Sequence, residues 1–146
     1  MTRVTKIYLD GHYYGIAISR CGRYLAISSN SADDQVTEHR LQVFELGAGK
    51  DPLLLHKLTF LTDYPQDWLR HLSFEAEVKG EPVLAGVTAA SCMLLTFALR
   101  DKRLAQFQAE ITFSDSPGHL ASSLATRGNS LWACASDNKI NRVVLK

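Results

Sequence analysis

One pattern occurs twice in this chain, first as Gly15-Ile-Ala-Ile-Ser-Arg-Cys-Gly-Arg-Tyr-Leu-Ala-Ile-Ser-Ser-Asn30 followed by Arg40-Leu-Gln-Val-Phe-Glu-Leu46, and again as Ala121-Ser-Ser-Leu-Ala-Thr-Arg-Gly-Asn-Ser-Leu-Trp-Ala-Cys-Ala-Ser-Asp-Asn138 followed by Lys139-Ile-Asn-Arg-Val-Val-Leu145. Each copy reads as strand, glycine-containing turn, strand, polar loop and strand, because short apolar runs alternate with Gly, Asn, Asp and Ser. Repeated units of this kind predict a protein built from several similar β-sheets.

The same criteria predict strands over nearly the whole chain. One strand precedes the first unit, four lie in each of the first and second units, and three lie in the third. Their predicted bounds are 4–9; 14–19, 24–29, 41–46 and 53–60; 68–77, 83–88, 93–99 and 104–113; and 120–126, 130–135 and 140–146. No apolar pattern of helical period with capping residues persists for three turns, so an all-β fold is expected.

The spacing of the turn glycines gives the length of the repeat. Gly22, Gly80 and Gly128 are 58 and 48 residues apart. Four strands in a repeat of about 50 residues are typical of a β-propeller blade. We therefore expect four-stranded antiparallel blades, about three per chain, in a single domain or half-propeller over residues 1–146. A β-barrel or a β-sandwich is the alternative.

Parts of the sequence resemble known propeller families. Gly15-Ile-Ala-Ile-Ser19 with the following turn, Arg40-Leu-Gln-Val-Phe44 and the later Asn129-Ser-Leu-Trp-Ala-Cys-Ala135 look like the blades of NHL-type and WD40-like β-propellers. The resemblance covers the first and third units well and the second weakly, and the Gly-His/Trp-Asp pair of WD40 repeats does not accompany it. It implies a propeller without identifying a subfamily.

The number of units raises the question of how the sheets close. Closed propellers contain roughly four to eight blades, so three blades leave exposed sheet edges. The third unit lacks a fourth strand, and the predicted strand at 4–9 is spare, so it could complete the last blade. Two chains could form six blades as a homodimer, the chain could be part of a longer propeller, or the strands could close differently.

Composition limits the partners and the compartment. The 146 residues are 46% apolar and carry a net charge of +1, so no global field favours nucleic acid or an anionic membrane. Three distant cysteines without a Cys-x-x-Cys pair argue against a secreted disulfide framework. No signal-peptide or membrane-spanning run is present, and a cytoplasmic or otherwise intracellular protein is expected.

Charges sort between the two loop faces of a propeller. The first loop face, formed by the loops that enter the first strand and join the second to the third, carries mostly carboxylates: Asp10, Asp33, Asp34, Glu38, Asp63, Asp67, Asp115 and Asp137. The second loop face carries mostly basic residues: Arg20, Arg23, Lys50, Lys79, Arg100, Lys102, Arg103 and Arg127. The first loop face is therefore expected to be acidic and the second basic.

Aromatic residues and histidines accompany the carboxylates of the first loop face. The residues predicted to bind a partner are His12, Tyr13, Tyr14, Asp63, Tyr64, Trp68, Asp115 and His119. Aromatic anchors beside carboxylates suit a basic peptide or another cation. The leading hypothesis is thus a non-enzymatic protein-interaction module or scaffold that needs no cofactor. It would act as a homodimer or in a larger assembly.

Two other classes of function remain open. Nucleophile-elbow, Walker, zincin and zinc-cluster motifs are absent. Propeller hydrolases and lactonases, which the chain resembles only in fold, hold calcium with carboxylate and amide oxygens, and the residues that could supply them here are Asp33, Asp34, Glu38, Asp137 and Asn138. The basic loop face would suit an accessory subunit that contacts nucleic acid, although few aromatic residues are interleaved for base stacking.

Overall fold

The computed structural model describes residues 6–9, 11–30, 38–47, 49–61, 67, 69–114, 121–137 and 139–146. Within these ranges the chain forms eleven strands and no helix. The strands are β1 (His12–Ile18), β2 (Tyr24–Asn30), β3 (Glu38–Glu45), β4 (Leu53–Leu61), β5 (Leu69–Val78), β6 (Glu81–Thr88), β7 (Met93–Arg100), β8 (Arg103–Thr112), β9 (Ala121–Arg127), β10 (Ser130–Ala135) and β11 (Ile140–Val144). In the same ranges there is no helix with the length and hydrophobicity of a membrane span.

The strands form three antiparallel sheets, one for each sequence unit. The first sheet has the order β1-β2-β3-β4, the second β5-β6-β7-β8, and the third β11-β10-β9. None of the described sheets closes on itself. The all-β prediction is confirmed, and the eleven predicted strands of the three units coincide with the observed ones to within a few residues.

Tight turns at the predicted glycines join neighbouring strands. Gly22, Gly80 and Gly128 have φ angles of 72°, 81° and 61°. Residues with a side chain rarely adopt this left-handed backbone conformation, so such turns favour glycine. Strands β5 and β6 form a hairpin around Gly80, in which Val78 pairs with Glu81.

The three sheets pack on one another in chain order. Strand β1 contacts β5, β5 contacts β9, and the last strands β4 and β8 also touch. The first interface, between the first and second sheets, contains the buried residues Ala26, Leu41, Val43, Leu69, Phe74, Leu84, Phe97, Leu99 and Leu104. The second interface, between the second and third sheets, contains Ala76, Val83, Ala85, Val87, Cys92, Leu94, Leu131, Ala133, Ala135 and Leu145.

The described part of the predicted first strand does not form a strand. Residues 6–9 have no regular structure, and residues 4 and 5 lie outside the described ranges. Ile7 and Leu9 pack on Leu25, Ile27 and Phe44, on the face of the first sheet that points away from the second. Burial of apolar surface therefore places this segment on the first sheet, and residues 6–9 do not complete the third sheet as predicted.

Candidate functional site

Three residues of the predicted partner site are described, and all three belong to the start of β1. They are His12, Tyr13 and Tyr14. The others lie outside the described residues: Asp63, Tyr64, Trp68, Asp115 and His119. The convergence of these eight residues on one loop face therefore stays a prediction.

Tyr13 and Tyr14 belong to a groove on the outer face of the first sheet. The pairing of β1 with β2 shifts between Tyr13 and Gly15, so Tyr14 is an extra residue in the strand, as in a β-bulge. Both tyrosines line a groove of about 350 Å³ with Ile7, Leu9, Gly15, Ile16 and Ile27. They therefore border the outer face of the first sheet, and period-2 alternation could not have predicted this placement.

The two described residues of the predicted calcium set lie on different sheets. Glu38 lies on β3 of the first sheet, where a carboxylate oxygen is 3.6 Å from Nε of Arg40. Asp137 lies between β10 and β11 of the third sheet, and its Oδ1 accepts a hydrogen bond of 3.1 Å from the backbone N–H of Lys139. Asp137 thus lies in the turn between β10 and β11.

The remaining members of the calcium set, Asp33, Asp34 and Asn138, are outside the described ranges. Among the residues that are described, no group of three His, Cys, Asp or Glu side chains could hold a metal ion. The calcium site therefore stays an untested hypothesis.

Asp67 is buried, although the charge pattern placed it on an acidic surface. Its side chain is 1% exposed. Oδ1 accepts hydrogen bonds from the backbone N–H groups of Ala90, at 2.8 Å, and Ser91, at 2.9 Å, and Oδ2 accepts one of 2.5 Å from Ser91 Oγ. A buried carboxylate requires such partners. Asp67 therefore ties the chain before β5 to the β6–β7 turn and adds no charge to the surface.

The hydrogen bonds of Asp67 continue into the turn itself. The hydroxyl groups of Ser91 and Thr88 are 2.7 Å apart, and Thr88 Oγ1 accepts a hydrogen bond of 2.9 Å from the backbone N–H of Met93. The side chains of one sheet thus hold the β6–β7 turn in a fixed shape. This turn forms one wall of a cavity.

A cavity of about 390 Å³ lies between the first and second sheets at the first loop face. We call it the cleft, and its lining residues are Phe60, Leu61, Asp67, Thr88, Ser91, Met93, Leu95, Thr96, Phe97, Gln106, Gln108 and Glu110. Phe60 and Leu61 come from the end of β4, and the two glutamines and Glu110 come from β8. One wall is therefore apolar, and the opposite strand supplies amides and an exposed carboxylate.

His39 on β3 lies behind the apolar wall of the cleft. Its side chain is fully buried, and its ring centroid is 5.7 Å from that of Phe60. Burial lowers the pKa of His39 because it penalises the charged imidazolium, and the Asp67 carboxylate opposes this effect. At neutral pH the histidine is therefore neutral, and Glu110 is the exposed charge among the lining residues.

The sequence did not identify the cleft. Met93, Leu95 and Phe97 alternate on β7, which predicts that they share one face of a strand. The alternation does not say which sheet covers that face, or that the outer strands leave a gap there. The available signal was the polar triplet Gln106, Gln108 and Glu110 on β8. Simple alternation does not determine which face these side chains share, because the pairing of β7 with β8 shifts twice along the triplet.

The described residues of the cleft do not form a catalytic pair. Of its two carboxylates, Asp67 accepts its hydrogen bonds from the β6–β7 turn. Ser91 Oγ donates to Asp67 Oδ2 and not to a histidine base. Comparison of the chain with models of known protein families and with curated proteins finds no match.

Proposed function

We propose that this chain is a non-enzymatic protein–protein interaction module of β-propeller type, which binds a basic, partly apolar segment of a partner protein in the cleft. The stacking of the sheets supports the propeller. The first strands β1, β5 and β9 contact one another in series, and each sheet then continues outward in chain order, except that the third has three strands. In a propeller the strands of every blade follow one another outward from a common axis in this way.

The observation that carries the binding proposal is the position of the cleft. It lies at the first loop face, where the sequence predicts a partner site, and it combines Phe60, Leu61 and Met93 with the exposed Glu110. An apolar wall that faces a carboxylate suits alternating apolar and cationic side chains of an extended segment. The exposed outer strands β4 and β8 also leave backbone groups for such a segment.

The chemistry of the cleft supports a binding role. Catalysis by paired carboxylates requires two groups that can face a substrate, and Asp67 is held in the β6–β7 turn by three hydrogen bonds. The hydroxyl of Ser91 donates to that same carboxylate. Asp67 and Ser91 thus stabilise the β6–β7 turn through their hydrogen bonds.

Fluorescence polarisation with designed peptides tests this function. The probe is a labelled peptide of alternating leucine and lysine, and the comparison peptide carries glutamate in place of lysine. We expect the lysine peptide to bind the chain more tightly. Glu110→Lys should weaken its binding about tenfold, because about 1.4 kcal/mol of attraction is lost.

Glu77→Lys is the matched control. Glu77 is an exposed glutamate of the second sheet near the β5–β6 turn, and its substitution changes the net charge equally. Equal affinity of the two peptides, or equal weakening by the two substitutions, would exclude the cleft as the binding site. A rise in Tm with millimolar calcium would instead favour the calcium-dependent hydrolase.

A further inference from the structure

The outer face of the first sheet exposes apolar side chains on its innermost strand. The register of β1 on β2 places Ile16 opposite Ile27 and Ile18 opposite Leu25, so these four residues share one face. Ile16 is 68% exposed and Ile18 50% exposed. Residues 6–9 cross this face and leave the groove that Tyr13 and Tyr14 line. We call this surface the leading face.

The outer face of the third sheet is apolar as well. The register of β10 with β11 pairs Trp132 with Arg142 and Cys134 with Ile140, on the side away from the second interface. Trp132 is 41% exposed and Ile140 75% exposed. The Arg142 guanidinium lies 5.3 Å from the centroid of the Trp132 ring and holds that ring on the surface. We call this surface the trailing face.

The leading and trailing faces are the two ends of the sheet stack. Among the described residues, the other four sheet faces meet a neighbouring sheet at the first or second interface. Soluble proteins rarely leave apolar patches of this extent uncovered, and large ones mark interaction sites. We propose that the leading face of one copy of this chain packs on the trailing face of a second copy, and the reverse, so that two chains form a closed ring.

The number of sheets selects a dimer. Closed propellers contain roughly four to eight blades, and among multiples of three only six lies within that range. A leading face that paired with another leading face would leave both trailing faces exposed, whereas head-to-tail contacts cover all four faces with twofold symmetry. This inference rests on the propeller-type arrangement proposed above and does not depend on the cleft.

The area of the two faces is adequate for a stable dimer. Strands spaced ~4.8 Å apart with a rise of ~3.3 Å per residue give a three-stranded face of about six residues a flat area of roughly 300 Å². Each chain would use two such faces, or a flat area of roughly 600 Å². The uneven surface of the side chains adds further area. This approaches the ~800 Å² per partner of a standard interface.

The faces also offer a matched anchor and groove. Trp132 projects from the trailing face, and the groove of about 350 Å³ on the leading face is lined by Tyr13, Ile16 and Ile27. Buried tryptophans that fill pockets dominate the energy of protein interfaces. Trp132 and Ile16 are therefore the residues on which the contact is expected to depend most.

Sedimentation equilibrium or light scattering of the full chain tests the inference. We expect a mass near twice the 16.2 kDa of the chain. Trp132→Glu and Ile16→Glu should each weaken the dimer at least 100-fold, because each substitution places a charge in both contacts. Leu53→Glu is the control. Leu53 is an exposed leucine at the start of β4, opposite Glu45, and it belongs neither to the apolar cluster of the leading face nor to its groove, so this variant should stay dimeric.

A mixture of the two monomeric variants separates head-to-tail pairing from other arrangements. A mixed dimer has one contact with both substitutions and one contact with none, so mixing should restore a dimer. A monomeric wild-type chain at 100 µM, dimeric variants, or no restoration on mixing would overturn the inference. Peptide binding by a monomeric chain would leave the proposed function standing, so the two failures can be distinguished.

Discussion

The first and second interfaces each form between two antiparallel sheets, but the side chains buried there differ. In the first, a leucine of the second sheet lies over a glycine of the first sheet, and a Cβ on Gly15 would be 2.8 Å from Cγ of Leu72. Within the second sheet, Leu69 of this interface lies over Gly86, where a Cβ would be 2.7 Å from Cγ of Leu69. In the second interface, Ala76, Ala85, Ala133 and Ala135 line much of the contact. Small residues thus allow close approach in both interfaces, but they are distributed over more positions in the second.

Polar contacts also distinguish the two interfaces. Across the first, Ser28 Oγ donates to the carbonyl of Leu69 at 2.7 Å, and the N–H of Arg20 donates to the carbonyl of Phe74 at 3.1 Å. Across the second, the hydroxyl groups of Ser73 and Thr126 are 2.5 Å apart. The bonds of the first interface hold the inner strands at a defined distance.

The outer part of the first interface remains partly open, and this is where the cleft lies. Toward the second loop face the N–H of Leu104 donates to Nδ1 of His56 at 2.8 Å, which connects β8 to β4. Toward the first loop face, Phe60 and Phe97 border a gap instead. The second interface therefore supplies stability, whereas the first supplies stability and also contains the cleft in which we propose that a partner binds.

The largest effect on stability is expected from a truncation in the second interface. Leu131 is fully buried among small residues that cannot fill the space it leaves. Leu131→Ala should lower the free energy of unfolding by about 2–5 kcal/mol, measured by urea denaturation. Leu53→Ala, at an exposed leucine, is the control and should change it by less than ~0.5 kcal/mol. Equal losses would contradict the assignment of the core.

An added methyl group should weaken the first interface. Gly86→Ala would place a Cβ within 2.8 Å of three side-chain carbons of Leu69, so the leucine must move. We expect a loss of about 1–3 kcal/mol and a lower Tm in thermal unfolding. Gly47→Ala is the matched control, because its Cβ would meet Lys50 no closer than 3.7 Å. A stable Gly86→Ala variant would show that Leu69 does not lie over Gly86.

The stability of the first interface should depend on pH through His39. Burial lowers its pKa in the folded chain, so below the ordinary pKa of about 6.5 the unfolded chain binds a proton that the folded chain does not. Stability contributed by neutral His39 is therefore complete above pH 6.5 and is lost as the pH falls below it. Urea midpoints between pH 5 and 8 should show a shallower slope for His39→Gln, and an unchanged slope would contradict this role.

The smallest effects concern the reactivity of two cysteines, which should differ between an exposed turn and the buried second interface. Hydrogen bonding to Ser19 lowers the pKa of the exposed Cys21 thiol, and burial in the second interface raises the pKa of Cys92. Alkylation at pH 7, followed by mass spectrometry of peptides, should therefore modify Cys21 much faster than Cys92. Ser19→Ala should slow the modification of Cys21 severalfold. Faster labelling of Cys92 would show that the second interface opens.

The sequence predicted the strands well but the faces poorly. Short runs such as Tyr24 to Ser29 are separated by glycine turns, and both signals are local, so β2 and its neighbours were found within a few residues. The prediction of an acidic first loop face was wrong for Asp67. Its carboxylate is buried and accepts three hydrogen bonds. Whether a polar residue is exposed depends on donors that lie far away in the chain.

The candidate site shows the same limit. The prediction grouped Tyr13 and Tyr14 with a loop face because they lie at the start of the first strand of the repeat. It did not predict the bulge at Tyr14 or the groove that both tyrosines line with Ile16 and Ile27. A single extra residue in a strand changes which side chains share a face. Composition alone does not reveal this change.

The sequence by itself determined that this chain is all-β, has three repeated units, and turns at Gly22, Gly80 and Gly128, because strand propensity and positive φ are local properties. Only the tertiary structure decided which faces are covered, where the cleft opens, and that residues 6–9 lie on the first sheet. The physical reason is that burial depends on which sheets meet. Alternation along a strand specifies that two faces exist, and packing between distant strands decides which of them is buried.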